Sequence, residues 1–269
     1  MKRWKTRLPL GLVLACFLSA PLALAQQPTP TSDDLKKEIE ALKEGQKAIQ
    51  KDLQEIKTLL QRPAGLPPPP QNVVLELGKN PFKGENKAKL TLIEFSDYQC
   101  EFCGRYVRET APQIEKEYVA TGKLKYVFVD FPLESIHKFA FKASEAAHCA
   151  GEQGKFWQMH DRLFANQTSL EPWTPHAQAL GLDVPEFEAC MSSGKYAEEI
   201  RKNLAEGGKA GVAGTPLFFL AYTDPSSSKV KTISRLSGAQ PFAAFKAQID
   251  QLLAAQPKAE EAKAAEKPK

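Results

Sequence analysis

Residues 92–103 read Leu-Ile-Glu-Phe-Ser-Asp-Tyr-Gln-Cys-Glu-Phe-Cys, and the two cysteines in this stretch are the most informative feature of the sequence. A run of β-forming residues ends in a short turn, and Cys100 lies where a helical pattern begins. The first turn of a helix has unpaired N–H groups and the positive end of the helix dipole, and both favour a thiolate over a thiol. We therefore predict a lowered pKa for Cys100 and a role as the attacking nucleophile. Cys103 follows one turn later in a more buried position, from which it can resolve a mixed disulfide.

Strand and helix patterns alternate on both sides of this stretch. The strand patterns cover residues 73–77, 90–95, 124–131, 217–221 and 230–234. The helical patterns cover residues 103–120, 137–152, 156–164, 186–205 and 241–255. Strands mixed with helices on this scale predict an α/β layered domain over residues 71–256.

The Cys-x-x-Cys pair, after a strand and at the start of a helix, resembles the thioredoxin superfamily and specifically its DsbA-like branch. Glu94 lies six residues before Cys100, where this superfamily commonly keeps a buried acid. A helical block at about residues 132–210 separates the two β parts, as the helical insertion of that branch does. Gly-Thr-Pro at residues 214–216 is similar to the cis-proline loop of this superfamily, and the stretch 148–164 also resembles the DsbA-like branch. The resemblance implies a thioredoxin-like α/β fold with a helical insertion.

The resemblance also implies a role for each site residue. Glu94 is expected to be a buried carboxylate with a raised pKa that takes a proton from Cys103. Pro216 is expected to be cis and to leave the adjacent backbone open to a bound peptide, which Thr215 would meet beside Cys100. Without the resemblance, Glu94 reads as a surface charge at a strand end and Pro216 as an ordinary trans turn proline.

The active-site stretch departs from its relatives in the residues that tune the cysteines. Glu101 and Phe102 stand between them, where the thioredoxin type has Gly-Pro and the DsbA type has Pro-His. The histidine that helps to stabilise the thiolate is therefore absent, and the charge of Glu101 opposes ionisation of Cys100. We expect a less extreme oxidant than the strongest relatives, with the sign of the net effect left open.

Two cysteines remain outside the active-site pair. Cys149 and Cys190 lie about 40 residues apart in the helical block, and Cys16 lies in the segment that we expect to be removed. An even number of cysteines in the mature chain, in an oxidising compartment, favours a structural disulfide between Cys149 and Cys190, and two separate buried thiols are the alternative. The spacing expected for a zinc site is missing, so we expect no metal and no cofactor.

The first 25 residues predict a cleaved secretory signal. Four basic residues precede an apolar run and the small residues Ala23 and Ala25. The run is shorter than the about 20 residues of a membrane span, and an uncleaved anchor is the alternative. The 269-residue chain has 36 basic and 32 acidic side chains, for a net charge of +4. Removal of the signal leaves 32 of each, so the basicity gives no reason to expect nucleic acid.

Residues 32–61 predict a coiled-coil helix. Apolar residues alternate at spacings of four and three over nearly four heptads, with Gln46 as the polar exception. We expect this helix to join copies of the chain as a dimer or trimer; an amphipathic helix lying on its own domain is the alternative. The proline-rich residues 62–70 predict a semi-rigid linker, and residues 257–269 predict a disordered tail.

Together with the resemblance, these patterns predict a thiol–disulfide oxidoreductase that is periplasmic or otherwise extracytoplasmic. The leading hypothesis is an oxidase of unfolded or misfolded secreted proteins that a membrane redox partner resets. An oligomeric isomerase or reductase is the first alternative, because the predicted stalk and Thr215 are both similar to features of isomerases. A non-enzymatic chaperone or tethering module with structural cysteines is the second. We expect no nucleic-acid partner, since no basic stripe and no phosphate-binding loop is present.

Overall fold

The computed structural model describes residues 32–61 and 72–265. The chain divides into two compact units, residues 1–67 and 68–269. The predicted signal at residues 1–25 and the predicted linker at residues 62–70 lie outside the described residues. Within the described ranges, no helix combines the length and the apolar character that crossing a membrane requires.

The second unit is built on a mixed sheet of six strands. The strands are β1 (Val74–Glu76), β2 (Phe82–Lys83), β3 (Leu90–Ser96), β4 (Leu124–Asp130), β5 (Leu217–Tyr222) and β6 (Lys229–Ser237). Their order across the sheet is β1-β6-β5-β3-β4-β2. β3 pairs with β4 in parallel and with β5 antiparallel.

Strand β3 lies at the centre of the sheet and is buried on both faces. All seven of its residues are buried. Because side chains alternate along a strand, Leu90 and Leu92 pack into one apolar cluster and Ile93 and Phe95 into another. Glu94 follows the alternation of Leu90 and Leu92, which directs it to the face that also buries Tyr106 of the helix after the cysteines.

Helices cover both faces of the sheet. In chain order they are α2 (Glu101–Glu109), α3 (Ala111–Ile114), a π-helical turn (Glu115–Val119), α4 (Ala140–Glu152), α5 (Phe156–Ala165), α6 (Thr174–Ala179), α7 (Val184–Ser193), α8 (Ala197–Lys209) and α9 (Phe242–Ala265). Helices α4 to α8 form one insertion between β4 and β5. The predicted α/β layered fold with a helical insertion is therefore confirmed.

The structure divides two helices that the sequence predicts as continuous. The pattern over 103–120 is broken at Thr110, since Pro112 lacks the N–H that would continue the ladder of α2. The pattern over 186–205 is broken at Gly194, which adopts the left-handed conformation (φ 62°) that ends α7. The short elements β2 and α6 were not predicted, because two to six residues are too few to show a period.

The last helix runs into the segment for which the sequence predicts a disordered tail from residue 257. α9 runs from Phe242 to Ala265 and passes through most of that segment. The segment is rich in alanine, glutamate and lysine, which have high helix propensity, so it can continue a helix that has already been nucleated. The disordered tail itself stays a prediction.

The first unit contributes helix α1 (Ser32–Gln61), which has the predicted bounds. Its apolar residues at the heptad positions are exposed over the described side chains. The exposed fractions are 50% for Ile39, 73% for Leu42, 63% for Ile49 and 60% for Leu53. The helix itself agrees with the sequence pattern, whereas the pairing of helices into a coiled coil stays a prediction.

Candidate active site

Cys100 caps the N-terminus of α2, and Cys103 lies in its first turn. Cys100 has extended backbone geometry (φ −70°, ψ 118°), and its side chain makes no capping bond. Both cysteines are thiols, with exposed fractions of 5% for Cys100 and 0% for Cys103. The structure therefore gives substrate sulfur atoms better access to Cys100 than to Cys103.

The two thiols differ strongly in acidity. A hydrogen bond from the thiol of Cys103, the hydroxyl of Thr215 and the N–H groups of Cys103 and Phe102 outweigh burial and lower the pKa of Cys100 to about 6. Burial, together with the sulfur of Cys100, raises the pKa of Cys103 well above its ordinary value. Near neutral pH the pair therefore holds a thiolate at Cys100 and a thiol at Cys103.

The loop at residues 214–216 lies against the sulfur of Cys100. The Thr215–Pro216 peptide bond is cis. The thiol of Cys100 donates to the carbonyl oxygen of Thr215 at 3.3 Å. The hydroxyl of Thr215 is buried without a partner in this thiol form, so it is free to donate when Cys100 ionises. The N–H of Gly238 donates to the carbonyl of Pro216 at 2.9 Å and anchors the loop to the end of β6.

Glu94 lies in the interior and not at the surface. Its exposed fraction is 0%, and its Oε2 accepts a hydrogen bond from the hydroxyl of Tyr126. Its Oε1 has no partner. Burial raises the pKa of Glu94 to about 7, against the opposing effects of Ser96 and Tyr126. The carboxyl can therefore gain and lose a proton near neutral pH, and its charge is felt at Cys103.

The two residues between the cysteines face outward. Phe102 is 55% exposed, and the guanidinium group of Arg105 lies 5.1 Å from the centre of its ring. Glu101 is exposed in the first turn of α2. Phe102 thus presents an apolar surface next to the reactive sulfur, while Glu101 contributes an exposed negative charge there.

Two site residues were missed by the sequence analysis. Asp97 accepts hydrogen bonds from the backbone N–H groups of Gln99 and Cys100, at 2.7 Å and 3.2 Å. Gln167 donates to the carbonyl oxygens of Tyr98 and Cys100, at 3.0 Å and 2.8 Å. An aspartate at a strand end, three residues before a helix start, is a recognisable turn signal, whereas nothing in the sequence relates Gln167 to the cysteines.

The approach of Gln167 depends on Gly104. A Cβ atom at residue 104 would overlap Oε1 of Gln167. Glycine at this position therefore lets a residue of the helical insertion reach the active-site turn. The same turn is held by Gln99, whose Oε1 accepts from the N–H of Phe139.

Cys149 and Cys190 form a disulfide that joins α4 to α7. Their Cα atoms are 5.8 Å apart, and the bond closes a loop with a sequence separation of 41 residues. Both residues are buried within the apolar cluster of the insertion. The alternative of two separate thiols therefore does not describe this structure.

Comparison with known proteins places the second unit among thioredoxin-like proteins. A family model described as Thioredoxin matches residues 76–263. The fold is similar to alpha-DsbA1 of Wolbachia pipientis, with a TM-score of 0.58 and 25% identity over 67% of this chain and 94% of that chain. BdbD of Bacillus subtilis has a TM-score of 0.58 and 18% identity over 68% and 97% of the two chains. DsbA2 of Pseudomonas aeruginosa has a TM-score of 0.52 and 22% identity over 70% and 96%.

Curated relatives of higher identity share only part of their length with this chain. The Na(+)/H(+) antiporter NhaA 3 of Salinispora tropica is 34% identical over 140 residues, which are 51% of this chain and 21% of that protein. The antiporter NhaA 1 of a Mycobacterium strain is 34% identical over 163 residues, or 57% and 26%. The chain thus spans about a quarter or less of these relatives. The structural matches confirm the thioredoxin-like fold with its helical insertion.

Proposed function

This chain belongs to the thioredoxin family and has the fold and paired cysteines of a thiol–disulfide oxidoreductase, and on that premise we propose that it oxidises dithiols of secreted proteins. One observation carries the proposal: the low-pKa sulfur of Cys100 at a helix start, against the cis Thr215–Pro216 bond. A thiolate stabilised in this way stabilises the reduced pair and leaves readily from a mixed disulfide, so the oxidised pair is a good oxidant.

The reaction begins from the Cys100–Cys103 disulfide. A substrate thiolate attacks the sulfur of Cys100, a mixed disulfide forms, and Cys103 leaves with the electron pair. The second thiolate of the substrate then attacks the substrate sulfur of the mixed disulfide. The substrate disulfide forms, and Cys100 leaves as a thiolate. The substrate loses two electrons, which the cysteine pair gains.

Glu94 handles the proton of the buried cysteine in this scheme. Cys103 leaves as a thiolate in a site where burial strongly favours the protonated form. Glu94, with a pKa of about 7, supplies that proton and recovers one from solvent. In the reverse direction the same carboxylate accepts the proton when Cys103 attacks.

The loop at Thr215 is the proposed site for the substrate backbone. Proline cannot donate a hydrogen bond, and the cis bond places the carbonyl of Thr215 beside the reactive sulfur. An extended peptide can pair with the backbone there while its cysteine faces Cys100. The exposed ring of Phe102 adds an apolar contact, which suits unfolded or misfolded clients.

A membrane redox partner is proposed to reset the site. Each turnover leaves Cys100 and Cys103 as a dithiol, which must lose two electrons before the next substrate reacts. The chemistry requires an oxidant that reaches Cys100, because the sulfur of Cys103 is fully buried. The Cys149–Cys190 disulfide supports an extracytoplasmic, periplasmic location after removal of the signal, since such bonds persist in oxidising compartments.

The exposed seam of α1 supports a second candidate function, disulfide isomerisation by a homo-oligomer. Four apolar residues at heptad positions are each at least half exposed. We propose that a second or third copy of this helix covers them. Several active sites on one assembly would suit the reshuffling of wrong disulfides. The low pKa of Cys100 favours the oxidase, and the seam favours the isomerase.

Cys100→Ser tests the proposed function. The full chain in its oxidised form is mixed with a reduced, unfolded protein, and free thiols are counted over time. We expect the wild-type chain to oxidise the substrate and Cys100→Ser to lose at least 99% of that activity. Equal rates would overturn the proposal. A reduction potential below about −300 mV would instead assign the pair to structural disulfides and favour a tethering module.

A further inference from the structure

Asp97 is a buried carboxylate whose two oxygens are both fully used. The residue follows β3 directly and is 1% exposed. Its Oδ1 accepts from the N–H groups of Gln99 and Cys100. Its Oδ2 accepts from the N–H of Leu133 at 2.7 Å and from Nδ1 of His137 at 2.9 Å. As a carboxylate it has no proton to give, so Nδ1 of His137 carries the hydrogen.

The four donors come from two segments that are distant in sequence. Gln99 and Cys100 belong to the active-site turn, residues 97–100. Leu133 and His137 lie 36 and 40 residues after Asp97, in the loop between β4 and the helical insertion. A cap that serves only its own helix needs local donors alone. Asp97 therefore fixes the active-site turn to the loop that leads into the insertion as well as supporting the start of α2.

The orientation of this turn decides what the sulfur of Cys100 meets. The first N–H groups of a helix are unpaired, and a cap normally satisfies them with a side-chain oxygen. Cys100 supplies no such bond, and the N–H groups of Phe102 and Cys103 lie by its sulfur instead. A small rotation of the turn would direct these N–H groups away from the sulfur. The amides of Gln99 and Gln167 also hold the turn, and Asp97 adds a charged contact to these neutral ones.

We propose that Asp97 and His137 are positioning residues of the exchange reaction: they hold the active-site turn so that the first N–H groups of α2 face the sulfur of Cys100. The inference rests on the proposed function and deepens it. His137 is the outer member of the pair, since 21% of its side chain is exposed while the side chain of Asp97 is fully buried. Its ring closes the carboxylate off from water and supplies the fourth donor.

Asp97→Asn separates positioning from simple electrostatics, because the two effects have opposite signs. Removing a negative charge near a thiol favours the thiolate and lowers the pKa of Cys100. Asparagine also presents an NH₂ group to N–H donors, so the turn loses its hold and the pKa rises. We expect a net rise of about one unit. In the full chain this is an about fivefold slower alkylation of Cys100 by iodoacetamide at pH 6.

His137 supplies a second variant, which leaves the residues of the turn itself unchanged. His137→Phe keeps a ring but removes the donor, and we expect a smaller rise of the pKa of Cys100 in the same direction. His137→Gln restores an N–H donor and should recover part of the change. The matched control is Asp183→Asn, because Asp183 caps α7 through a bond to the N–H of Glu186 at 2.9 Å. The control should leave the alkylation profile unchanged.

Each variant is compared with the wild-type chain by its alkylation profile from pH 4 to 9 and by its thermal midpoint. A rise of the pKa in Asp97→Asn and His137→Phe at temperatures where both are folded supports the proposal. An unchanged or lower pKa in His137→Phe overturns it, and so does an equal rise in Asp183→Asn. Alkylation needs no protein substrate. If the wild-type chain failed to oxidise reduced proteins, the proposed function would be wrong, and the alkylation profiles would still test the positioning role of Asp97 and His137.

Discussion

Glu94 is a single residue of the active site that destabilises the folded state when it is ionised. The carboxyl is fully buried, one of its oxygens has no partner, and burial raises its pKa to about 7. An unfolded glutamate has a pKa of about 4.3, so the folded state binds this proton more tightly than the unfolded state does. Folding therefore becomes less favourable as pH rises from about 4.3 to 7, and the full cost applies above pH 7.

Glu94→Gln should stabilise the protein and impair it at the same time. At pH 8 the variant no longer buries a charge, so we expect the free energy of unfolding to increase by up to about 4 kcal/mol. At pH 4 the carboxyl is mainly protonated in both states, so the difference should nearly vanish. Urea denaturation at both pH values measures this effect. The exchange rate should fall about tenfold or more at pH 7, because glutamine cannot pass a proton to Cys103.

Glu109→Gln is the matched control, since Glu109 is an exposed acid on α2. It should change neither the stability nor the exchange rate by a measurable amount. If Glu94→Gln left the pH dependence of stability as it is in the wild-type chain, the assignment of a raised pKa to Glu94 would be wrong.

Single residues of the site were predictable from sequence to different degrees. Cys100 and Cys103 follow from their position at a helix start, and the offset of Glu94 from Cys100 made a buried acid a reasonable expectation. Asp97 was missed because its partners Leu133 and His137 come from a loop 36 to 40 residues away. A hydrogen bond between distant segments leaves no periodic trace in a single sequence.

At the scale of the element, periodicity predicted where strands and helices occur but not where they break. The breaks at Thr110 and Gly194 depend on single residues, Pro112 and Gly194, which do not interrupt the spacing of apolar residues from which the helices were predicted. The two-residue strand β2 exists because β4 supplies partners for Phe82 and Lys83, which is a tertiary effect. The prediction of elements was therefore limited by how short some elements are and by strand pairing between distant residues, and not by amino-acid composition.

The disulfide between α4 and α7 should stabilise the helical insertion. Replacing both Cys149 and Cys190 with alanine opens a loop of 41 residues, and we expect a loss of about 2–4 kcal/mol in the free energy of unfolding. Urea denaturation of oxidised wild-type and variant chains measures the loss. The rate of thiol exchange at 15 °C should change little while the variant is folded. An unchanged unfolding midpoint would show that the bond does not constrain the unfolded chain.

At the scale of the whole molecule, the described chain consists of a helix with an exposed apolar seam and an α/β unit that carries the active site. Sequence periodicity predicted helix α1 and the α/β unit, and the chain divides into its two compact units between residues 67 and 68. It could not decide what covers the seam. The spacing of apolar residues specifies a face of α1, and a face can pair with copies of itself or with another surface.

Leu42→Asp combined with Ile49→Asp should separate oligomerisation from chemistry. Both residues lie on the seam and are 73% and 63% exposed. We expect the wild-type chain to sediment as a dimer or trimer and the double variant as a monomer in analytical ultracentrifugation. The variant should still reduce insulin at the wild-type rate but refold scrambled ribonuclease several times more slowly.

Glu44→Ala is the control for this experiment, because Glu44 lies on the outer face of the heptad pattern. It should leave the sedimentation and both activities unchanged. A wild-type chain that sediments as a monomer would contradict the coiled-coil prediction and remove the support for an isomerase.

On the proposed function, the Cys149–Cys190 bond would make the maturation of one copy of the protein depend on other copies. A newly made copy contains four thiols outside the predicted signal, and two of them must become oxidised before the insertion has its final stability. On the proposed function, the catalyst best placed to do this is an older, already mature copy in the same compartment. Maturation would then be autocatalytic: the first molecules after a shift from reducing growth conditions would mature slowly, and later ones would mature faster in proportion to those already present.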